Sequence, residues 1–300
     1  MTRRPPYHSL LAAAAIACVI GVGGAHASIF GSAKPAAPKL NDQDIAQIEL
    51  AIDEQRLVDA ARMLDQAALG GVKDPRLSLL DGRLDAMRGH FGDALTDYRM
   101  AEQNPKTHAQ ALEGAGIALA MLGRSDEALA TLLKAVTETP DAWRAWNALG
   151  SEYDARNDWP KAEDAYQHAI AASGGAAIAL NNRGYSRLLQ HRRDEAVNDL
   201  VAALRKKPDL AEARTNLRLA LALGGDYERA VAGAAPADQA ALLNNAGFAA
   251  AMRGDYAGAE DLLNRAIKLK GEFYDRAAEN LKVVQALAAQ SQPAAPHATP

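Results

Sequence analysis

Cysteine is nearly absent from this sequence. Cys18 is the only one in 300 residues, so no intramolecular disulfide forms and no cysteine-built metal cage is available. Aromatic residues are also scarce, at 5%, while alanine is abundant. That balance fits close-packed helices and argues against a β-sandwich, which draws on β-branched and aromatic side chains. No block dense in Lys and Arg is present, and the formal net charge is -4. Binding to a phosphate backbone needs concentrated positive charge, so nucleic acid is not an expected partner.

The signatures of chemistry are missing as well. There is no H-E-x-x-H and no G-x-x-x-x-G-K-[ST], which removes the usual zinc-hydrolase and phosphate-loop readings. Of the seven histidines, His8, His26 and His297 stand near the termini, and His90 and His191 stand in polar turns 101 residues apart. Acidic pairs such as Glu163-Asp164 and Glu260-Asp261 are adjacent on helical segments and point to different sides. The chain is therefore not expected to be an enzyme, and no metal, cofactor or small-molecule substrate is expected.

The first 27 residues read as an export signal. Arg3 and Arg4 form a positive start, Leu10 to Gly24 is an apolar run, and Ala25-His26-Ala27 is an A-x-A cleavage pattern. The run is too short and too rich in Ala and Gly for a retained anchor, and no later stretch is apolar for long enough to span a bilayer. Removal of residues 1-27 takes away Arg3 and Arg4, leaving 31 basic against 37 acidic side chains and a charge of -6. Cys18 opens an alternative. Ala15-Ile16-Ala17-Cys18 resembles a bacterial lipoprotein box, with Ala15 where Leu is usual. Processing there would leave a lipid on Cys18 and a flexible tether behind it. Residues 28-40 are a Pro/Ala/Lys linker, and residues 289-300 are a biased, disordered tail.

Between linker and tail, over residues 41-288, one period governs the chain. Gly82, Gly116, Gly150 and Gly184 are each 34 residues apart. Twelve residues on stand Ala94, Ala128, Ala162 and Ala196, with Ala60 before them and Ala230 after in the same register. Seven further on come Ala67, Ala101, Ala135, Ala169 and Ala203. A small residue in a first helix lets the second helix cross closely, and the Ala column supplies its neighbour. Tyr98, Leu132, Tyr166 and Leu200 are larger residues at a shared second-helix position.

A strict period of 34 marks a tetratricopeptide array, an all-α right-handed superhelix (α-solenoid). The expected units are 41-74, 75-108, 109-142, 143-176, 177-210, a short 211-239 and 240-273. The sixth breaks at Pro236. The seventh resumes with Gly247 and Ala259. A capping helix is expected from about Glu272 to Ala288. Asp126, Asp158, Asp226 and Asp255 precede or open second helices, where a carboxylate satisfies free N-H groups.

A narrower likeness rests on the C-terminal half. Asn181-Asn182-Arg183-Gly184-Tyr185, then Leu242-Leu243-Asn244-Asn245-Ala246-Gly247-Phe248, Arg253-Gly254-Asp255-Tyr256 and Phe273-Tyr274-Asp275-Arg276-Ala277-Ala278-Glu279-Asn280-Leu281 follow in order. This resembles the TadD-type proteins of the tight-adherence (Flp) pilus assembly system. The resemblance implies a periplasmic protein-binding scaffold, often a lipoprotein at the outer membrane, that helps assemble the pilus and its secretin. The expected partners are then the secretin or assembly subunits, with membrane attachment only through lipid on Cys18. A general cell-envelope adaptor, coordinating peptidoglycan synthesis or outer-membrane assembly, fits the same fold.

The concave face of such a superhelix is lined mainly by first helices. The candidate peptide-binding residues are Arg144, Asn147, Ser151 and Asp154 in the fourth unit, Asn181, Tyr185 and Leu188 in the fifth, and Thr215 in the sixth. An Asn side chain donates and accepts, so Asn147 and Asn181 suit an extended peptide backbone. They equally suit hydrogen bonds between neighbouring helices that keep the superhelix in register. Some members of the repeat family clamp a C-terminal carboxylate with Lys, Arg and Asn. Asn182 and Asn216 match the Asn positions, but Asn147 stands where such clamps have Lys, so a carboxylate-terminal ligand is not expected.

Overall fold

The computed structural model describes residues 41–270 and 274–291. The expected signal segment, Cys18, the linker up to residue 40 and the tail beyond residue 291 lie outside the described residues. Among those residues there are fifteen helices and no strand. The first helices of the pairs are α1 (Asp42–Asp53), α3 (Pro75–Met87), α5 (His108–Met121), α7 (Trp143–Ala155), α9 (Ala177–Leu189), α11 (Ala211–Gly224) and α13 (Pro236–Met252). Their second helices are α2 (Leu57–Leu69), α4 (Phe91–Ala101), α6 (Ser125–Glu138), α8 (Trp159–Ala172), α10 (Arg193–Lys206), α12 (Tyr227–Val231) and α14 (Tyr256–Lys270). A last helix, α15, spans Asp275–Ser291. Each first helix packs on its own second helix, on the second helix of the preceding unit, and on the neighbouring first helices. Apolar burial is accordingly divided among clusters that each join neighbouring units, as expected for a repeat array.

The glycine column sits where the two helices of a pair cross. A Cβ built on Gly82 would lie 2.9 Å from the Tyr98 ring and 3.2 Å from the Ala94 carbonyl oxygen. On Gly184 it would meet Leu200 at 2.9 Å and the Ala196 carbonyl at 3.3 Å, and on Gly247 it would meet Leu263 at 2.8 Å and the Ala259 carbonyl at 3.3 Å. Gly116 and Gly150 meet Leu132 at 2.6 Å and Tyr166 at 2.5 Å. Ala60, Ala94, Ala128, Ala162, Ala196, Ala230 and Ala259 are all buried.

The sixth pair departs from this pattern. Arg218 stands 34 residues after Gly184, and its guanidinium reaches the Ala232 carbonyl at 3.4 Å. A side chain of that size cannot sit in a close crossing, and α12 is only five residues long. It ends at Val231 instead of continuing to residue 235, and Pro236 opens α13 instead of closing the sixth unit. Proline suits a first helical position because the N-H it lacks would have no partner there. Helix α15 also starts and ends about three residues later than expected, since the first breaker after it is Pro293. Asp158, Asp226 and Asp255 do cap α8, α12 and α14. Asp126 instead lies inside the first turn of α6 and pairs with Arg156 at 3.1 Å.

A second period-34 column lies in the turns. Gln55, Gly89, Gly123, Asn157, His191 and Gly225 all have positive φ, between 57 and 88°. In each turn the following N-H bonds a carbonyl five residues back, as with His90 to Asp85 and Arg192 to Arg187, the closure a left-handed residue permits. In non-glycine residues that conformation costs about 1–2 kcal/mol of Cβ–carbonyl repulsion, partly offset by the larger entropy glycine loses on folding. The substitution His191→Gly is therefore expected to stabilise the array by about 0.5–1 kcal/mol. A melting curve followed by circular dichroism checks it, and an unchanged or lower midpoint contradicts it.

Candidate functional site

The inner layer of first helices carries a groove across α7, α9 and α11. Two adjoining depressions share Asn182 and Tyr185. One, of about 310 Å³, is completed by Ser151, Asp154, Ala155, Tyr166 and Leu189. The other, of about 500 Å³, is completed by Asn181, Ala211, Glu212, Thr215 and Asn216. Five of the eight candidate residues thus meet here: Ser151, Asp154, Asn181, Tyr185 and Thr215. Tyr185 is exposed and stands at the junction, with an apolar ring and a hydroxyl to offer a partner.

The other three lie elsewhere. Leu188 is buried in the cluster with Leu180, Leu200 and Leu210; the next residue, Leu189, is the one that faces the groove. A step of one residue turns a helix by about 100°, which moves a side chain from core to surface. Arg144 lines a separate cavity of about 390 Å³ with Arg83 and Glu113, and its guanidinium lies 4.7 Å over the Trp143 ring. Asn147 is engaged by the neighbouring unit.

That engagement is a relay of amides. Asn216 donates to Asn181 Oδ1 at 3.0 Å, Asn181 donates to Asn182 Oδ1 at 3.0 Å, and Asn182 donates to Asn147 Oδ1 at 3.1 Å. The relay joins α11, α9 and α7. A second copy ties α15 to α13, with Asn280 donating to Asn244 at 2.9 Å and Asn244 to Asn245 at 3.4 Å. Asp154 is similarly occupied. Its carboxylate accepts the Tyr166 hydroxyl at 2.8 Å and the Ser186 hydroxyl at 2.7 Å. Burial raises the Asp154 carboxyl above its ordinary range, and those two hydroxyls oppose the shift in part. Asp154 positions Tyr166 at the groove floor and is committed to the fold more than to a ligand.

The relay also fixes the register of α15. Asn280 takes the place of Asn182 and Asn216, so Lys282 stands in the glycine position and α15 is a first-type helix without a second. Three and seven residues after the relay position come Tyr185 and Leu189 on α9, Leu219 and Leu223 on α11, Phe248 and Met252 on α13, and Val283 and Leu287 on α15. Towards the N-terminus the same two positions hold Ser151 and Ala155 on α7, Ile117 and Met121 on α5, and Arg83 and Met87 on α3. Of the seventeen large apolar side chains exposed among the described residues, nine fall on these two positions. Scattered exposed apolar residues are ordinary, but an aligned stripe marks a surface that is covered in use. Within the stripe from Ile117 to Leu287 no residue at either position is charged.

Among the described residues no group of His, Cys, Asp and Glu is placed to hold a metal ion, and no helix is long and apolar enough to cross a membrane. Comparison with known proteins now bears on the geometry. A family model described as tetratricopeptide repeat matches residues 79–143 and 128–177. The chain folds as a tetratricopeptide-repeat solenoid. Its architecture is shared by the Cut9-Hcn1 hetero-tetramer of the APC/C, at 16% identity and a TM-score of 0.56, covering 80% of this chain and 48% of that one. It is also shared by the C-terminal part of a TPR repeat-containing protein from Cytophaga hutchinsonii, at 14% identity and a TM-score of 0.55, covering 79% and 99%. YrrB, a TPR protein with an unusual peptide-binding site, is similar at 21% identity and a TM-score of 0.48, covering 62% and 97%. No curated protein sequence matches the chain. Tetratricopeptide repeats point to a scaffold that binds other proteins.

Proposed function

We propose that this protein is an exported scaffold whose inner face holds subunits of a tight-adherence-type pilus, or its secretin, during assembly in the periplasm. The observation that carries the binding role is the uncharged apolar stripe along α9, α11, α13 and α15, which calls for a partner segment with an apolar face. The pilus assignment is supported by the order of motifs between Asn181 and Leu281 and by the signal-like first 27 residues. Attachment at the outer membrane follows if Cys18 is lipidated.

The test is cross-linking in intact cells carrying a tagged chain, with partners identified by mass spectrometry. Secretin or pilus-assembly subunits are expected. The paired substitution Tyr185→Arg and Leu189→Arg is expected to reduce their recovery at least about tenfold, since burying a large apolar side chain against a partner contributes about 1.5–3 kcal/mol. Undiminished recovery would move the binding face elsewhere. Enrichment of cell-wall synthases or outer-membrane insertion factors without pilus components would replace the pilus reading with that of a general envelope adaptor.

A further inference from the structure

The amide relay stops at the fourth unit, and a cavity lies beyond it towards the N-terminus. This is the space of about 390 Å³ that Arg83 and Arg144 border, with Met87, Tyr98, Gly114 and Ile117 among its walls. Gly114 holds the position that Asn182 and Asn216 hold in the relay, and Glu113 holds that of Asn147 and Asn181. The next relay donor, which would reach Glu113 from α7, is replaced by Ala148. Without an amide at Gly114, the end of the Tyr98 ring is left uncovered.

That ring runs from one glycine to the next. A Cβ built on Gly82 would meet its Cδ1 and Cε1 at 2.9 Å, and one built on Gly114 would meet its Cζ at 2.5 Å. The hydroxyl is thus carried to Gly114, at the cavity wall. Tyr98 is 5% exposed, and its hydroxyl has no hydrogen-bond partner among the described residues. Tyr166, at the same position two units on, donates to Asp154 at 2.8 Å and meets the Ser151 hydroxyl at 3.2 Å. The second unit has Ala86 and Arg83 in those two places, and Arg83 is turned to Asp53 at 2.6 Å. No fully enclosed side-chain polar atom among the described residues lacks a partner, so the Tyr98 hydroxyl is not sealed in and opens to the cavity. A buried hydroxyl with an unmade hydrogen bond favours any ligand that supplies one.

We infer that this cavity is a second binding site on the inner face, and that it takes the phenol side chain of a tyrosine presented by a partner protein. Met87 and Ile117 give apolar contact, and the Met87 thioether is a favourable neighbour for an aromatic ring. Arg83 and Arg144 bring guanidiniums, which stack on aromatic faces; Arg144 already lies 4.7 Å over the Trp143 ring. The charges are matched within the protein. Arg83 has Asp53, and burial raises the Glu113 carboxyl while the Arg144 charge opposes that shift. A neutral ligand is therefore favoured over an acidic or basic one. Burial above all pushes the Tyr98 hydroxyl up to about 12, so it keeps its proton at neutral pH and donates to the ligand's phenol oxygen. The cavity is separate from the apolar stripe, and its occupancy does not depend on which protein the stripe holds.

Methyl NMR on the full chain tests this, with Met87 and Ile117 as reporters and N-acetyltyrosinamide as the probe. Both methyl signals are expected to shift together and to saturate with a dissociation constant of about 1 mM, the range open to a ligand of that size. N-acetylphenylalaninamide, which lacks the hydroxyl, is expected to bind about three- to tenfold more weakly, the ordinary worth of one neutral hydrogen bond. The substitution Tyr98→Phe keeps the ring between the glycines and removes only the hydroxyl. It is expected to abolish the preference, so that both probes bind alike. The amide of N-acetyl-aspartic acid, an anionic probe, is expected to bind more weakly than either. No saturable shift at Met87 and Ile117, a tyrosine preference that survives in Tyr98→Phe, or tighter binding of the anionic probe would each overturn the inference.

Discussion

Asp199→Ala is expected to lower the stability of the array by about 3–5 kcal/mol. The carboxylate accepts three charge-assisted bonds from Arg183 and Arg187, whose side chains are only 17% and 12% exposed. Its removal takes a partner from two guanidiniums in a place water barely reaches. Arg187 keeps Glu163 as a partner at 2.5 Å, whereas Arg183 keeps none among the described residues, so Arg183 carries most of the loss. The comparison that separates a stranded charge from missing packing is a triple replacement, Arg183→Leu, Arg187→Tyr and Asp199→Ala. It copies Leu149, Tyr153 and Ala165 of the fourth unit, a solution the same backbone already uses. Replacing a whole buried ion cluster by packed apolar groups is often close to neutral. The triple variant should therefore be more stable than the single one. Thermal unfolding should place Asp199→Ala roughly 10 °C below the parent; a midpoint within a degree or two of it would mean that the ion cluster contributes little.

The fold was legible because its steric demand falls on residue type at fixed spacing. A crossing that leaves no room for a Cβ admits only glycine, and the paired alanine follows it twelve residues later. Where the demand is on backbone conformation, the signal was obscured. Gln55, Asn157 and His191 adopt the same left-handed turn as the glycines around them, yet share no chemistry that would reveal it. The amide relay was legible in kind, as hydrogen bonds between neighbouring helices, but not in its pairing. Asn147 and Asn181 occupy one column and invite pairing, but the hydrogen bonds run between residues 35 apart, Asn182 to Asn147 and Asn216 to Asn181. Pro236 was ambiguous because proline ends one helix and opens another with equal ease. At the groove, Leu188 and Leu189 are both apolar and adjacent. Only the helix phase decides which of them is core, and the short sixth unit obscures the phase of every column C-terminal to it.

Gly150→Ala isolates the steric argument in a single methyl group. The added Cβ would lie 2.5 Å from the Tyr166 ring, inside any distance real side chains adopt. The ring cannot swing aside cheaply, because its hydroxyl donates to Asp154 at 2.8 Å and meets the Ser151 hydroxyl at 3.2 Å, and because the residue is almost fully buried. Either α7 and α8 separate or Tyr166 gives up those partners, and overpacking of this kind costs about 1–3 kcal/mol. Larger residues such as Trp cost more. The intrinsic helix preference of alanine works in the opposite direction, by about 1 kcal/mol, so destabilisation means that the crossing has outweighed it. Gly92→Ala supplies the control: it lies in α4, and a Cβ there meets nothing within 4 Å. It is expected to be neutral or slightly stabilising. Urea titrations of the two variants should therefore move in opposite directions. If Gly150→Ala raised the midpoint as Gly92→Ala does, the α7–α8 crossing would be looser than the steric argument requires. The 34-residue glycine column would then need a cause other than close approach.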